Sequence, residues 1–319
     1  MTNARTFVLT LSAMIAFASN SLLCRAALKQ NNIDAAIFTF TRIFSGAVAL
    51  WLLMHVRRRT IANRTASPVV EIFSGSSLGA RLPRRSSAKA GHLSLRDGTW
   101  SSALALFVYA AAFSFAYVAL SAGTGALLLF GAVQATMILW GLHKGERLNT
   151  IQIVGFIVAV IGLVVLVFPG LSAPPLIGSI LMLGAGLAWG IYSLRGKGER
   201  NPASVTTGNF VRAVPFAAAL SIIFLPWANY SLAGMTYAIT SGAVTSGLGY
   251  VIWYSALPGL KTASAATVQL SVPVLAATGG ILLLGEPITM RYMLAFVAVL
   301  GGIALVVATP HPQINLSKR

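Results

Sequence analysis

Two arginines stand where charge is expensive. Arg42 and Arg212 each lie about two turns into an apolar stretch. A charged side chain at a bilayer centre costs about 2.5–3.5 kcal/mol on insertion scales. A guanidinium presents paired donors that match a carboxylate or phosphate, so these positions could hold an anionic group on a solute. The alternative is structural: snorkelling to the interface, or capping of carbonyls in broken helices. Asn20, Gln134, Asn209 and Gln269 are amides inside apolar stretches. An unpaired amide in hydrocarbon is costly, so each is expected to face the protein interior. Gln134 and Gln269 could meet an amine or carboxylate, or bond between helices. Trp189, Tyr250 and Tyr254 add aromatic surface. Tyr250 and Tyr254 are four apart and share a helix face, where they could stack an apolar or aromatic solute.

Other chemistry finds little support. The six carboxylates are Asp34, Glu71, Asp97, Glu146, Glu199 and Glu286, and none falls in mid-segment. His55, His92, His143 and His311 lie at segment ends or in loops. A buried carboxylate relay of the kind proton-driven pumps use is therefore not expected, although His55 or His143 could take a proton at a cavity mouth. Cys24 is the only cysteine, which excludes an internal disulfide and a thiolate metal cluster. No phosphate-binding Gly-x-x-x-x-Gly-Lys loop occurs. No metal site, cofactor or enzymatic constellation is expected. Glu146 and Glu286 stand just before apolar segments and are expected to cap the following helices against the dipole.

The elements that must position these residues are helices in a membrane. Hydrophobic residues make up 56% of the 319 and charged residues 9%, and the mean hydropathy is +0.80. A soluble domain carries about 25% charge, so the chain reads as a polytopic all-α membrane protein. Spanning needs about 20 residues. Ten such segments fall near 6–28, 35–55, 100–119, 122–143, 150–168, 175–194, 204–225, 234–256, 262–284 and 290–308. The first could pass for a signal peptide, but its length and its internal counterpart near 176–194 favour a retained helix.

The segments repeat. Ala18, Arg25, Phe40 and Arg42 recur 170 positions later as Ala188, Arg195, Phe210 and Arg212. Gly145-Glu146 and Gly162 recur 140 later as Gly285-Glu286 and Gly302. Each copy has five segments, and five is odd, so the second copy enters the membrane from the opposite side. Inverted repeats of this kind build secondary transporters. With the N-terminus inside, 18 of the 23 Lys and Arg residues fall on the cytoplasmic side and 3 on the other. That asymmetry places both termini in the cytoplasm and accounts for the net charge of +17 without nucleic acid as a partner. Nine of the basic residues lie between Arg57 and Arg96, in an insertion of the first copy spanning about 57–97. It reads either as a tether for anionic lipid headgroups or as a solvated loop that only enforces topology.

The double five-helix repeat, the Gly-Glu before the fifth helix of each copy, and Pro273 with Glu286 after it resemble the drug/metabolite transporter superfamily, EamA type. The resemblance covers about 4–57 and 100–308, not the basic insertion. It implies a ten-helix basket around a central cavity, with helices five and ten peripheral. It also implies an exporter of amino acids or other small metabolites that works by alternating access. Its members include monomers, and a monomer in a plasma or bacterial inner membrane is expected. The domains expected are 1–168 for the first repeat, 172–309 for the second and 310–319 as a cytoplasmic tail. Substrate-binding candidates are Arg42, Arg212, Gln134, Gln269, Asn20, Trp189, Tyr250 and Tyr254. A facilitator or exchanger fits the carboxylate positions best. A proton-coupled antiporter and a non-transporting sensor or scaffold are the alternatives.

Overall fold

The computed structural model describes residues 3–29, 33–65, 97–145, 147–170, 173–196, 199, 201–256, 259–260 and 268–308. It is helical throughout its elements: α1 (Asn3–Lys29), α2 (Ala35–Thr65), α3 (Trp100–Tyr117), α4 (Ala122–His143), α5 (Thr150–Val167), α6 (Leu176–Gly196) and α7 (Pro202–Ile223). Then follow α8 (Leu232–Thr240), a π-helical segment (Ser241–Leu248), α9 (Gly249–Ala256), α10 (Ser271–Leu284) and α11 (Met290–Ala308). Among the described residues, eight helices are long and apolar enough to cross a membrane. The run α8–π–α9 and the shorter α10 occupy the remaining two expected positions. Isoleucine and valine side chains on α5, such as Ile157, Ile161 and Val164, point outward and stay exposed, as lipid-facing surfaces do.

Two elements differ from the segments read in the sequence. The second helix runs on to Thr65 rather than stopping near 55, because Arg57-Arg58-Arg59 are good helix formers and no Gly or Pro stops the turn. The eighth is not one regular helix but is interrupted by the π segment. The basic insertion from 66 to 96 lies outside the described residues, as do Glu146 and the tail from 309.

Capping explains most helix starts. Thr99, Ser121, Asn201 and Ser231 each accept an amide from the first turn of α3, α4, α7 and α8. Asn149 and Gln152 form a reciprocal capping box on α5. Thr289 accepts the Tyr292 amide at α11, 3.1 Å away. The cap expected of Glu286 on that last helix is therefore made by Thr289. Gly285 closes α10 with φ +61°, a left-handed turn that suits glycine. The turn directs Glu286 back into the protein, where its carboxylate accepts the Ala122 amide at 2.8 Å. Glu286 does meet a helix N-terminus, but that of α4.

Close packing holds α2 against the π segment. A Cβ on Gly242 would overlap the carbonyl of Arg42 and the hydroxyl of Ser45, whereas one on Gly184 would meet nothing within 4 Å. Overpacking costs about 1–3 kcal/mol. Gly242→Ala should therefore lower the melting temperature of the detergent-solubilised protein by several degrees, and Gly184→Ala should leave it unchanged or raise it. Equal effects of the two would contradict this packing.

Candidate functional site

The site is built around Arg42, which is only 2% exposed. Its Nε donates to Ser246 Oγ at 3.2 Å and its Nη2 to Tyr109 OH at 3.0 Å. The guanidinium also lies over the rings of Phe113 and Tyr109, 4.8 and 5.2 Å from their centres, a favourable placement for a desolvated cation. Nη1 is buried and among the described residues has no hydrogen-bond partner. Asn20 on α1, 6% exposed, extends the network. Its Oδ1 accepts Ser241 Oγ at 2.7 Å and Thr245 Oγ1 at 3.3 Å, and its Nδ2 reaches Tyr109 OH at 3.4 Å. The π segment supplies all three hydroxyls. Short π stretches recur at functional sites, and here the wider turn lets Ser241, Thr245 and Ser246 all lie buried against α1 and α2.

Aromatic rings separate this network from an open cavity. Tyr109 packs on Trp189 (4.8 Å between centres), Trp189 on Tyr250 (4.9 Å) and on Tyr192 (5.4 Å). Tyr192 and Tyr254 line a cavity of about 670 Å³. It lies between the start of α3, the end of α6, the start of α7 and the end of α9. All of these are at the face where α1 begins. Tyr250 and Tyr254 thus share a helix face as expected, one in the aromatic floor and one in the cavity wall.

At the opposite face the helix ends are tied together. Arg25 Nε and Glu286 Oε1 form an ion pair at 3.0 Å, with side chains 13% and 6% exposed. Arg25 Nη1 also donates to the carbonyls of Tyr117 and Val118, both at 3.0 Å. With the Ala122–Glu286 bond, this latch joins the ends of α1, α3 and α10 to the start of α4. Lys29 Nζ adds a bond to the Leu284 carbonyl at 2.8 Å. The Asp34 amide donates to the Asn229 carbonyl at 2.8 Å.

Some sequence candidates lie elsewhere. Arg212 is half-buried and donates to the carbonyls of Asp97 and Gly208, at 2.8 and 3.0 Å. It braces the segment leading into α3 and is not part of the Arg42 network. Gln134, 3% exposed, has a buried Nε2 without a partner, yet no described hydrogen bond joins it to Arg42. Gln269 is half-buried at a turn just before α10. Pro273 cannot donate to its carbonyl four residues back. Sequence reasoning missed the hydroxyls of the π segment, because a Ser or Thr in an apolar helix usually bonds its own backbone.

The residues from 176 to 308 match the model of the EamA-like transporter family. An uncharacterized transporter of Archaeoglobus fulgidus is 30% identical over 198 residues, covering 60% of this chain and 69% of that protein. The chain belongs to the EamA-like transporter family. A Pseudomonas aeruginosa protein, itself uncharacterized, is 53% identical over 308 residues, 97% of this chain and 96% of that one. The threonine/homoserine exporter RhtA of Escherichia coli K12 is 34% identical over 160 residues, 47% of this chain and 52% of the exporter. One solved crystal structure superposes with a TM-score of 0.62 at 14% identity over 96% of this chain and 98% of that one, which shows the fold. In this EamA-like transporter the latch and the cavity are therefore features of a multi-pass membrane protein.

Removing one partner of a buried pair leaves an uncompensated charge. Glu286→Gln and Arg25→Gln should each lower thermal stability. The double variant should lose less than the sum, by about 1 kcal/mol or more, since contacting residues couple. Additive losses in that double-mutant cycle would contradict the latch.

Proposed function

We propose that this transporter exports amino acids or related small metabolites from the cytoplasm by alternating access between two inverted five-helix repeats, 1–168 and 172–309. The observation that carries the reading is the contrast between the faces: a cavity opens at the face where α1 begins, and a hydrogen-bonded latch joins the helix ends at the other. The basic-residue asymmetry supports a cytoplasmic placement of the open face and of both termini. A cytoplasm-facing cavity is where an exporter collects its solute. The partial similarity to RhtA, a threonine/homoserine exporter, supports amino acids as the solute class.

Solute enters past Tyr192 and Tyr254 and rests on the floor of Trp189, Tyr250 and Tyr109. Yielding of that floor brings its anionic group to the vacant Nη1 of Arg42. The guanidinium's other two nitrogens donate to Tyr109 and Ser246 and hold its plane in place. Release follows when the Arg25–Glu286 latch opens. The four described carboxylates, Asp34, Asp97, Glu199 and Glu286, all sit at or beyond helix ends, so exchange or facilitated movement fits better than a carboxylate proton relay.

The test is counterflow in proteoliposomes preloaded with a pool of amino acids and small metabolites, read by mass spectrometry. Selective amino-acid exchange without a pH gradient is expected. Release only under an imposed pH gradient would replace the exchanger with a proton-coupled carrier. No release from correctly inserted protein would overturn transport of these solutes.

A further inference from the structure

The cavity wall carries opposite charges that do not pair with each other. Asp97 and Arg195 both line it, yet among the described residues the only ion pair is Arg25–Glu286. The side chain of each is instead bonded to neutral hydroxyls. Asp97 Oδ2 accepts the Ser204 hydroxyl at 2.6 Å. Its backbone is fixed by Arg212 on its carbonyl at 2.8 Å and, two residues on, by the Thr99 amide donating to Asn209 Oδ1 at 3.0 Å. Gly98 between them holds φ +92° against Asn209, a conformation other residues rarely adopt. Arg195 Nε donates to Ser102 Oγ at 3.0 Å and Nη2 to Ser101 Oγ at 2.6 Å. Among the described residues its Nη1 has no hydrogen-bond partner.

We infer that Asp97 and Arg195 form a zwitterion-reading vestibule, in which Asp97 holds a solute's ammonium and Arg195 its carboxylate before the solute reaches the aromatic floor. The inference rests on the proposed transport of amino acids and narrows it to solutes carrying both charges. Two opposite charges kept apart in one cavity suit such a ligand and disfavour the alternatives. A simple anion meets the Asp97 carboxylate, and a simple cation meets Arg195. Braced groups lose little freedom when they bind, which favours recognition. Charge-assisted hydrogen bonds at both ends then set the solute's orientation. Glu199 also lines the cavity, but among the described residues no side chain braces its carboxylate, so Asp97 is the ammonium site. The two ends are read at one place: Asp97 lies two residues before the α3 cap Thr99, and Ser101 and Ser102 lie in the first turn after it.

The test uses the full-length protein in proteoliposomes, with L-threonine and L-phenylalanine, the amide of each and the N-acetyl derivative of each as competitors in counterflow. The wild type should favour each free amino acid over both derivatives by tenfold or more. Asp97→Asn should raise KM for the free amino acid about tenfold and bring the N-acetyl derivative close to parity. Arg195→Gln should do the same for the amide. Glu199→Gln should change neither ratio. Equal competition by all three forms in the wild type would overturn the inference without any variant. So would an Asp97→Asn protein with unchanged ratios, or a shift that follows Glu199 instead. If the wild type exchanges no amino acid at all, the transport reading itself falls. If it exchanges them without discriminating the derivatives, only the vestibule falls.

Discussion

A guanidinium sealed at the centre of the bundle constrains everything around it. Water cannot satisfy Arg42, so protein must. The answer uses four elements: α2 carries the charge, α3 brings Tyr109 and Phe113, the π segment brings Ser246, and α1 brings Asn20 to orient the hydroxyls. None of these reaches without close backbone approach, and Gly242 permits it between α2 and the π segment. The packing of α2 on the π segment, the widened turn and the buried amide are therefore one solution to one problem. Among the described residues the solution is incomplete at one nitrogen, Nη1, and under the proposed transport cycle that nitrogen is where the solute's anionic group binds.

The two copies of the sequence use the same arginines in different settings. Arg25 lies in a latch with Glu286, while Arg195, its counterpart by spacing, donates to serine hydroxyls in an open cavity. Arg42 is buried among tyrosine, serine and ring faces, while Arg212 braces backbone at the cavity edge. Under the alternating-access reading, this contrast is what a carrier caught open to one side must show. Equivalent residues occupy the closed arrangement on one face and the open arrangement on the other.

Much of the fold was legible because hydrocarbon imposes a length. Most apolar runs of about 20 residues appear as helices within a few residues of their expected ends, α2 and the interrupted eighth run excepted, and Ser, Thr and Asn before several of them act as caps. Arg42 was legible by the cost of burying it. The role of Arg212 was not, because burial and exposure leave the same letter in the sequence; only the Asp97 carbonyl beside it shows that it is a brace. Glu286 carried a helix-capping signal, but nothing local reveals that the Gly285 turn directs it to α4, across 164 positions. The π segment was hidden for a similar reason: its turn is set by contacts with α1 and α2, not by its own composition. Asp97 sits next to the basic insertion and read as part of it, until its hydrogen bonds to α7 set it apart.

The most direct measurement is the turnover of Arg42→Lys in counterflow, compared with its KM. Lysine keeps the charge but presents no planar fork, so it cannot hold Tyr109 and Ser246 and still offer a fixed donor to the solute. The account predicts at least a tenfold fall in turnover, with KM changed by less than threefold, because first binding occurs above the aromatic floor. Wild-type turnover in Arg42→Lys would contradict it.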